Sequence, residues 1–279
     1  MNFIFQETGL EEDFQNQLRH TLIGMHNANE IDDFAIRWCT LEALGNPNIV
    51  AKLTRDLNNI RDWCPVGTIE FCQKWFTDIC GLPYCKPRNL PECLFMYRGG
   101  QGCPTNHFFE YMSNKDDKYL DIVKNVMCYV KSNEIIKHPK NGVYMVQDIL
   151  QMPTWKDHDF QLSVFENNIV SEWRAFVFHD SIIDIRCYSG DPFKVPSKKS
   201  IEEFISKIHE ADSMLPSYTL DVFVNDNNKT KPLEMHDFFS CGLYGFQSHL
   251  LPAMMTQWFF YYKNKCRLDN LQNDPVLPI

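Results

Sequence analysis

The stretch SYTLDVFVNDNNKTKPLEMHDFFSCGLYGF, residues 217–246, decides the fold. TLDVFV (219–224) alternates and is rich in β-branched and aromatic residues, which predicts a strand. NDNN (225–228) supplies residues that tolerate the positive φ angles of a tight hairpin. With Asn227 and Asn228 as a two-residue loop, Asp221 falls directly opposite Glu234. Side chains alternate along a strand, so Glu234 and His236 share one face, and Asp221 points the same way as its partner. Two facing carboxylates repel each other. A cation bound by Asp221, Glu234 and His236 is the simplest compensation, and oxygen donors of this kind suit Mg²⁺. A register off by one or two residues leaves instead a solvated hairpin with acidic decoration.

Strand-like segments precede the hairpin: VMCYVK (126–131), VYMVQDIL (143–150), QLSVF (161–165), WRAFVF (173–178) and IIDIRCY (182–188). His179-Asp180 marks the turn between the last two. SIEEFISKIHEA (200–211) predicts a helix, with Ser200 and Glu203 as a capping box and Ile201, Phe204, Ile205 and Ile208 as its apolar stripe. MNFIFQ opens the chain as a strand. Segments 10–24 and 30–44 carry helix-like apolar spacing. CPVGTIEFCQKWFTDICGLP (64–83) reads as a turn, a helix and a Gly-Leu-Pro stop. HLLPAMMTQWFFYYKNK predicts a closing helix, and LDNLQNDPVLPI (268–279) an irregular tail. The Pro- and Gly-rich KPRNLPECLFMYRGGQGCPTN (86–106) marks a lobe boundary. The fold class is therefore α/β with α+β character. It divides into 1–95, an N-terminal α/β region, 96–165, a small lobe, and 166–279, a large lobe with the hairpin.

The chain has 279 residues, 44% of them hydrophobic, enough for one large domain or several small lobes. A net charge of −9 disfavours nucleic acid as a partner. No apolar run reaches membrane-spanning length. The eleven cysteines, an odd number with no secretory leader before them, fit reduced thiols and a cytoplasmic location. Six lie between residues 64 and 103 without a CxxC pair, so a zinc site there has weak support. No GxGxxG follows a strand, and no phosphate-binding GxxxxGK[ST] occurs.

CPVGTIEF (64–71), LPECLFMYRGG (90–100), YVKSNEIIKH (129–138), SEWRAFV (171–177), YSGDP (188–192) and YTLDVFV…PLEMHDFFSCGLYG resemble, in order and spacing, motifs of the ATP-grasp superfamily. The likeness is strongest to a clade of compact ATP-grasp proteins found in bacteria and viruses. It covers roughly residues 64–246. The resemblance implies an ATP-grasp fold, two α/β lobes clamping ATP, and a carboxylate–amine (or carboxylate–thiol) ligase acting through an acyl-phosphate. It also implies residue roles. Lys131 and Lys137 match the lysines that reach the ATP phosphates, and Arg98 a further cationic position. Arg174 matches the arginine that steadies phosphoryl or acyl-phosphate oxygens, with Arg186 a weaker candidate. QLSVFE (161–166), with Ser163 and Phe165, matches the hinge that offers backbone groups to adenine. Glu166 or Glu172 would accept from the ribose hydroxyls.

The family pattern ends Glu-x-Asn, whereas this chain reads Glu234-Met235-His236. A histidine nitrogen suits Mn²⁺ or another transition metal better than Mg²⁺. The substitution leaves open a second function, a catalytically weak or inactive nucleotide-binding protein such as a virus could carry. Nucleotidyl transfer through a covalent lysine has no Lys-x-Asp-Gly motif to support it. Read without the resemblance, Lys131 is a solvated lysine. Arg174, which alternates with Phe176 and Phe178, needs a partner that Asp184 or Glu172 could supply. Trp173 reads as core, and Tyr244 as either cleft mouth or packing. The second substrates, a carboxylate and a nucleophile that a peptide or protein could carry, have no motif of their own.

Overall fold

Phe3, Ile4 and Phe5 are fully buried in β1 (Asn2–Gln6) and anchor the first of three sheets. β1 pairs in parallel with β2 (Ala35–Cys39) on one side and β3 (Cys64–Val66) on the other. The order β2-β1-β3 means that the chain changes its direction of travel across this sheet between β1 and β3. The helix Asp13–Asn27 lies between β1 and β2 in the chain. After β3 comes the helix Ile69–Lys74, capped by the Thr68 hydroxyl, which accepts from the Phe71 N–H at 3.2 Å. A π turn, Trp75–Ile79, extends it, and Phe71 stacks on Trp75 one turn away.

The structure is a computed structural model that describes residues 1–7, 13–31, 34–86, 88–98, 103–104, 109, 112–115, 124–132, 134 and 139–273. A second sheet is antiparallel, in the order β4-β7-β5-β6: β4 (Cys103–Pro104), β5 (Met127–Ser132), β6 (Gly142–Met145) and β7 (Phe160–Val164). Val130, Ile149, Trp155 and Phe160 belong to its own small core. The third sheet, β11-β10-β8-β9, holds β8 (Ile169–Phe178), β9 (Ser181–Gly190), β10 (Ser217–Asn225) and β11 (Thr230–Asp237). Every residue of β10 is buried, as a central strand covered on both faces should be. The helices Lys198–Ala211 and Leu251–Asn273 pack with this sheet, and its core is continuous with that of the first sheet.

The structure departs from the sequence reading in several places. Segment 30–44 is not one helix: β2 takes Ala35–Cys39 and a short helix takes Leu41–Leu44. The run is short and apolar, and periodicity alone cannot separate a buried strand from a buried helix. Residues 64–66, read as a turn, are β3. Of 143–150 only the start is strand, and Val146–Leu150 is helical with Val146 and Ile149 buried three apart. The cap of the 198–211 helix is Ser197, whose hydroxyl accepts from the Ser200 N–H at 3.3 Å. Glu203 instead accepts from the Tyr97 hydroxyl. The closing helix runs on to Asn273, so the tail is helical further than its composition suggested.

The hairpin at 217–246 reaches its expected pairing by an unexpected route. Its loop has three residues, not two, because Asn225 N–H bonds Lys229 O and Asn228 adopts φ +56°. That alone would shift the pairing by one. A bulge restores it, since Val222 pairs Pro232 while Asp221 pairs Glu234, leaving Leu233 as the extra residue. Asp221 therefore does face Glu234, by two offsets that cancel.

Candidate active site between two sheets

Alternation on β8 puts Glu172, Arg174 and Phe176 on one face, and antiparallel pairing sets Phe223, Asp221 and Thr219 of β10 opposite them. β11 adds Glu234 and His236 to the same face. At one end Phe246 covers it, stacked on Phe176 at 4.1 Å. The other end opens as a cleft of about 380 Å³, to which Tyr129 of β5 and Phe165–Glu166 of the following connection contribute.

Arg174 is 4% exposed and Asp221 1%. They form a bidentate pair, Nε–Oδ1 at 2.7 Å and Nη2–Oδ2 at 2.8 Å, and Nη1 donates to Gly242 O at 3.0 Å. Asp221 is thus the partner of Arg174, in place of the expected Asp184 or Glu172. Burial alone would push the Asp221 carboxyl up, but Arg174 and the nearby His236 outweigh it and hold it below the usual range. The same pairing overcomes the effect of burial on Arg174 and raises its pKa.

His236 Nε2 lies 2.6 Å from Glu234 Oε1 and 3.5 Å from Asp221 Oδ2. It makes no aligned hydrogen bond. Burial, with Arg174 and Lys131 nearby, keeps its pKa below the ordinary value despite Asp221, which favours the neutral ring that ligates metals. One ligand atom from each of Asp221, Glu234 and His236 can be chosen so that all lie within 4.8 Å of one another. Two carboxylates and a neutral imidazole make a mixed oxygen–nitrogen set that fits a divalent cation. Lys131, from β5 of the other sheet, forms an ion pair with Glu234.

Arg98 ends the short helix Phe95–Arg98 and is 5% exposed. Its guanidinium carbon sits 4.6 Å above the Phe223 ring, and Nη1 has no hydrogen-bond partner among the described residues. Burial pulls its pKa down, opposed by Glu166 and Glu172, yet a guanidinium stays charged at neutral pH. Glu166 is ion-paired with Lys231. Tyr188 is the extra residue of a β9 bulge, because Glu172 pairs Ser189 while Trp173 pairs Cys187. The bulge re-aims its ring into the cleft, where it stacks on Tyr244 at 5.1 Å. Burial, Asp221 and Glu172 push the Tyr188 hydroxyl well up, so it is un-ionised. Tyr244 is 50% exposed, has φ +48° and lies 5.0 Å from the Arg174 guanidinium.

The cleft thus gathers Arg98, Phe165, Glu166, Glu172, Arg174, Asp221 and Glu234, with Lys131 and His236 joined to it through Glu234. Arg186 is held by Asp184 at 2.6 Å and is not part of the lining, nor is Ser163, which pairs with Tyr129 along the sheet. Lys137 lies outside the described residues. Trp173 is core, as its pattern suggested. Tyr129 and Tyr188 were missed. Only a bulge aims Tyr188, and no local sequence pattern announces one.

Residues 115–254 match a family described as an ATP-grasp domain, the second family of its clade. The chain is therefore an ATP-grasp protein. Within that superfamily it belongs to this clade's family 2. Among curated proteins none matches it in sequence. N5-carboxyaminoimidazole synthetase from Staphylococcus aureus superposes with a TM-score of 0.51 at 10% identity, covering 92% of this chain and 77% of the other. D-alanine–D-alanine ligase from Bacillus anthracis, complexed with ATP, gives 0.48 at 13% identity over 99% and 100%. The macrocyclase MdnC from Microcystis aeruginosa, bound with its precursor peptide MdnA, gives 0.47 at 7% identity over 92% and 98%. At such identities the likeness is one of fold. Among the described residues no helix is long and apolar enough to cross a membrane.

Proposed function

We propose that the chain is an ATP-dependent ligase that joins a carboxylate to an amine, or to a thiol, through an acyl-phosphate. One observation carries this reading: Lys131 of one sheet meets Glu234 of another, beside a cleft that also holds buried Arg98 and Arg174. Cations at the border of two sheets suit a polyphosphate held between them. The same reading divides the chain into an N-terminal region (1–95), a small lobe (96–165) and a large lobe (166–279).

In the first step a carboxylate oxygen of the substrate attacks the γ-phosphorus. A new O–P bond forms, the bond to the bridging oxygen breaks, and ADP leaves. In the second step the amine nitrogen attacks the acyl carbon, the bond to the phosphate oxygen breaks, and phosphate leaves while nitrogen loses a proton. Such chemistry depends on position and on charge placed where charge develops. Lys131 would exchange Glu234 for a phosphate oxygen. Arg98 brings a donor that has no competing partner among the described residues, aimed at the phosphates. Arg174, fixed by Asp221, would face the transferring phosphoryl group. The backbone of Phe165 and Glu166 would meet adenine, and Glu172 the ribose hydroxyls. A bound Mg²⁺ or Mn²⁺ would neutralise phosphate charge, held by Asp221, Glu234 and His236.

A thermal-shift comparison tests the site. ATP with Mg²⁺ or Mn²⁺ is expected to raise the melting temperature of the wild type, by mass action on the folded state. The rise is expected to vanish in Lys131→Ala and Glu234→Ala. No rise in the wild type overturns the reading. ADP release that requires a second substrate supports ligation, AMP release removes it, and binding without turnover on any substrate favours the inactive nucleotide-binding alternative.

A further inference from the structure

A second cavity of about 480 Å³ lies beyond Tyr244, which lines both it and the cleft. It sits at the carboxyl end of β3, where Val66, Gly67 and Thr68 line it, on the side of the parallel sheet where the chain changes direction between β1 and β3. Open parallel sheets bind ligands in such crevices.

The walls say what kind of group fits. Among the described residues that line the cavity none is charged, and Phe14, Val66, Ile69, Phe239 and Leu243 give it an apolar surface. The polar groups at this sheet end are already used. Gln6 Oε1 accepts from the Thr68 N–H at 2.7 Å, and Gln15 Nε2 reaches the carbonyls of Gln6 and Val66, each at 3.0 Å. Gly67 is needed for this closure, since a Cβ there would lie 2.6 Å from Gln6 Cβ and Oε1. A charged occupant would find no counter-charge and few open hydrogen bonds, so its desolvation would go uncompensated. Cys241 also lines the cavity, but burial pushes its thiol up to about 12, so it is no nucleophile at neutral pH.

We propose that this cavity receives the uncharged, apolar side group of the carboxylate substrate, with Tyr244 as the wall between that group and the reacting end. The assignment rests on the ligase reading for the word substrate, but the preference of the cavity itself does not. Gly242 ties the two sites together, because its carbonyl holds Arg174 while its residue lines the cavity. A group seated here is joined by one short wall to the Arg174–Asp221 end of the cleft.

The test is saturation-transfer NMR on the full chain with N-acetyl derivatives of leucine, phenylalanine, glutamate and lysine, with and without ATP. The leucine and phenylalanine compounds are expected to bind, and the charged ones to bind at least about tenfold more weakly, roughly the 1.4 kcal/mol that a tenfold difference represents. Ile69→Trp is expected to weaken the apolar compounds tenfold or more, and Ile69→Leu to retain them. Ile69 is half exposed, so folding is not at stake. Charged compounds binding as well as apolar ones, apolar binding undiminished in Ile69→Trp, or no apolar binding in the wild type would each overturn the proposal. Apolar binding at Ile69 without any ATP-dependent stabilisation would support the cavity's preference and remove the ligase reading alone.

Discussion

At the scale of the residue, the Arg174–Asp221 pair has two separable consequences. Removing one partner of a buried, hydrogen-bonded ion pair leaves an uncompensated charge, which costs about 3–5 kcal/mol, whereas replacing both with apolar groups is often neutral. Arg174→Ala is therefore expected to lower the unfolding free energy by several kcal/mol in urea titrations. The double variant Arg174→Met/Asp221→Leu is expected to recover most of that loss while showing no ATP-dependent stabilisation. Because Asp221 is held below its usual range, its contribution to stability is complete above the unfolded carboxylate value of about 3.9 and fades as pH falls through the lower folded value. The double variant should lack that acid-sensitive component. At the end of the hairpin, His236→Asn replaces a nitrogen donor with a carbonyl oxygen. If the site holds a divalent cation as proposed, the ATP-dependent thermal shift should favour Mg²⁺ over Mn²⁺ more in the variant than in the wild type.

At the scale of the element, local chemistry decides stability where the sequence reading named the wrong residue. Ser197→Ala removes the true cap of the 198–211 helix and is expected to cost about 1 kcal/mol, while Ser200→Ala should cost much less. Asn228 holds the left-handed position of the hairpin loop, so Asn228→Val should cost about 1–2 kcal/mol and Asn228→Gly little. Denaturant midpoints with unchanged slopes would check both pairs. These positions also show what was legible. The hairpin, its facing acids and the apolar stripe of the helix follow from period and turn chemistry, which are local. The three-residue loop and the Leu233 bulge offset each other, so the pairing came out as expected although the loop did not. The partner of Arg174 is 47 residues away and two strands meet to form the pair, so no local pattern carries it. The strand at 35–39 was lost because a short apolar run has the same composition in either state.

At the scale of the whole molecule, two cores of unequal size give the parts unequal stability. The small core around Val130, Ile149 and Phe160 has few members, while the larger one runs through the first and third sheets and the closing helix. Regions with fewer buried apolar contacts open at lower free energy. Amide exchange is therefore expected to be faster in β5 and β7 than in β8 and β10. Nucleotide binding should slow exchange in β5 and β7 preferentially, because the proposed phosphate contact of Lys131 comes from β5. Equal protection of the two parts, with and without ATP, would contradict this picture.

The ion pair between Lys131 and Glu234 carries a consequence for the order of events in the empty protein. A divalent cation arriving alone must compete with Lys131 for Glu234, and a nucleotide arriving alone must compete with Glu234 for Lys131. Arriving together, each takes the group the other displaces. Linkage then requires that metal and nucleotide raise each other's affinity by the same factor. Lys131→Met should break that reciprocity in opposite directions: Mn²⁺ should bind more tightly without ATP, and ATP more weakly with Mn²⁺. Calorimetric titration of each ligand in the absence and presence of the other would show whether the resting cleft is kept shut to single ions by its own salt bridge.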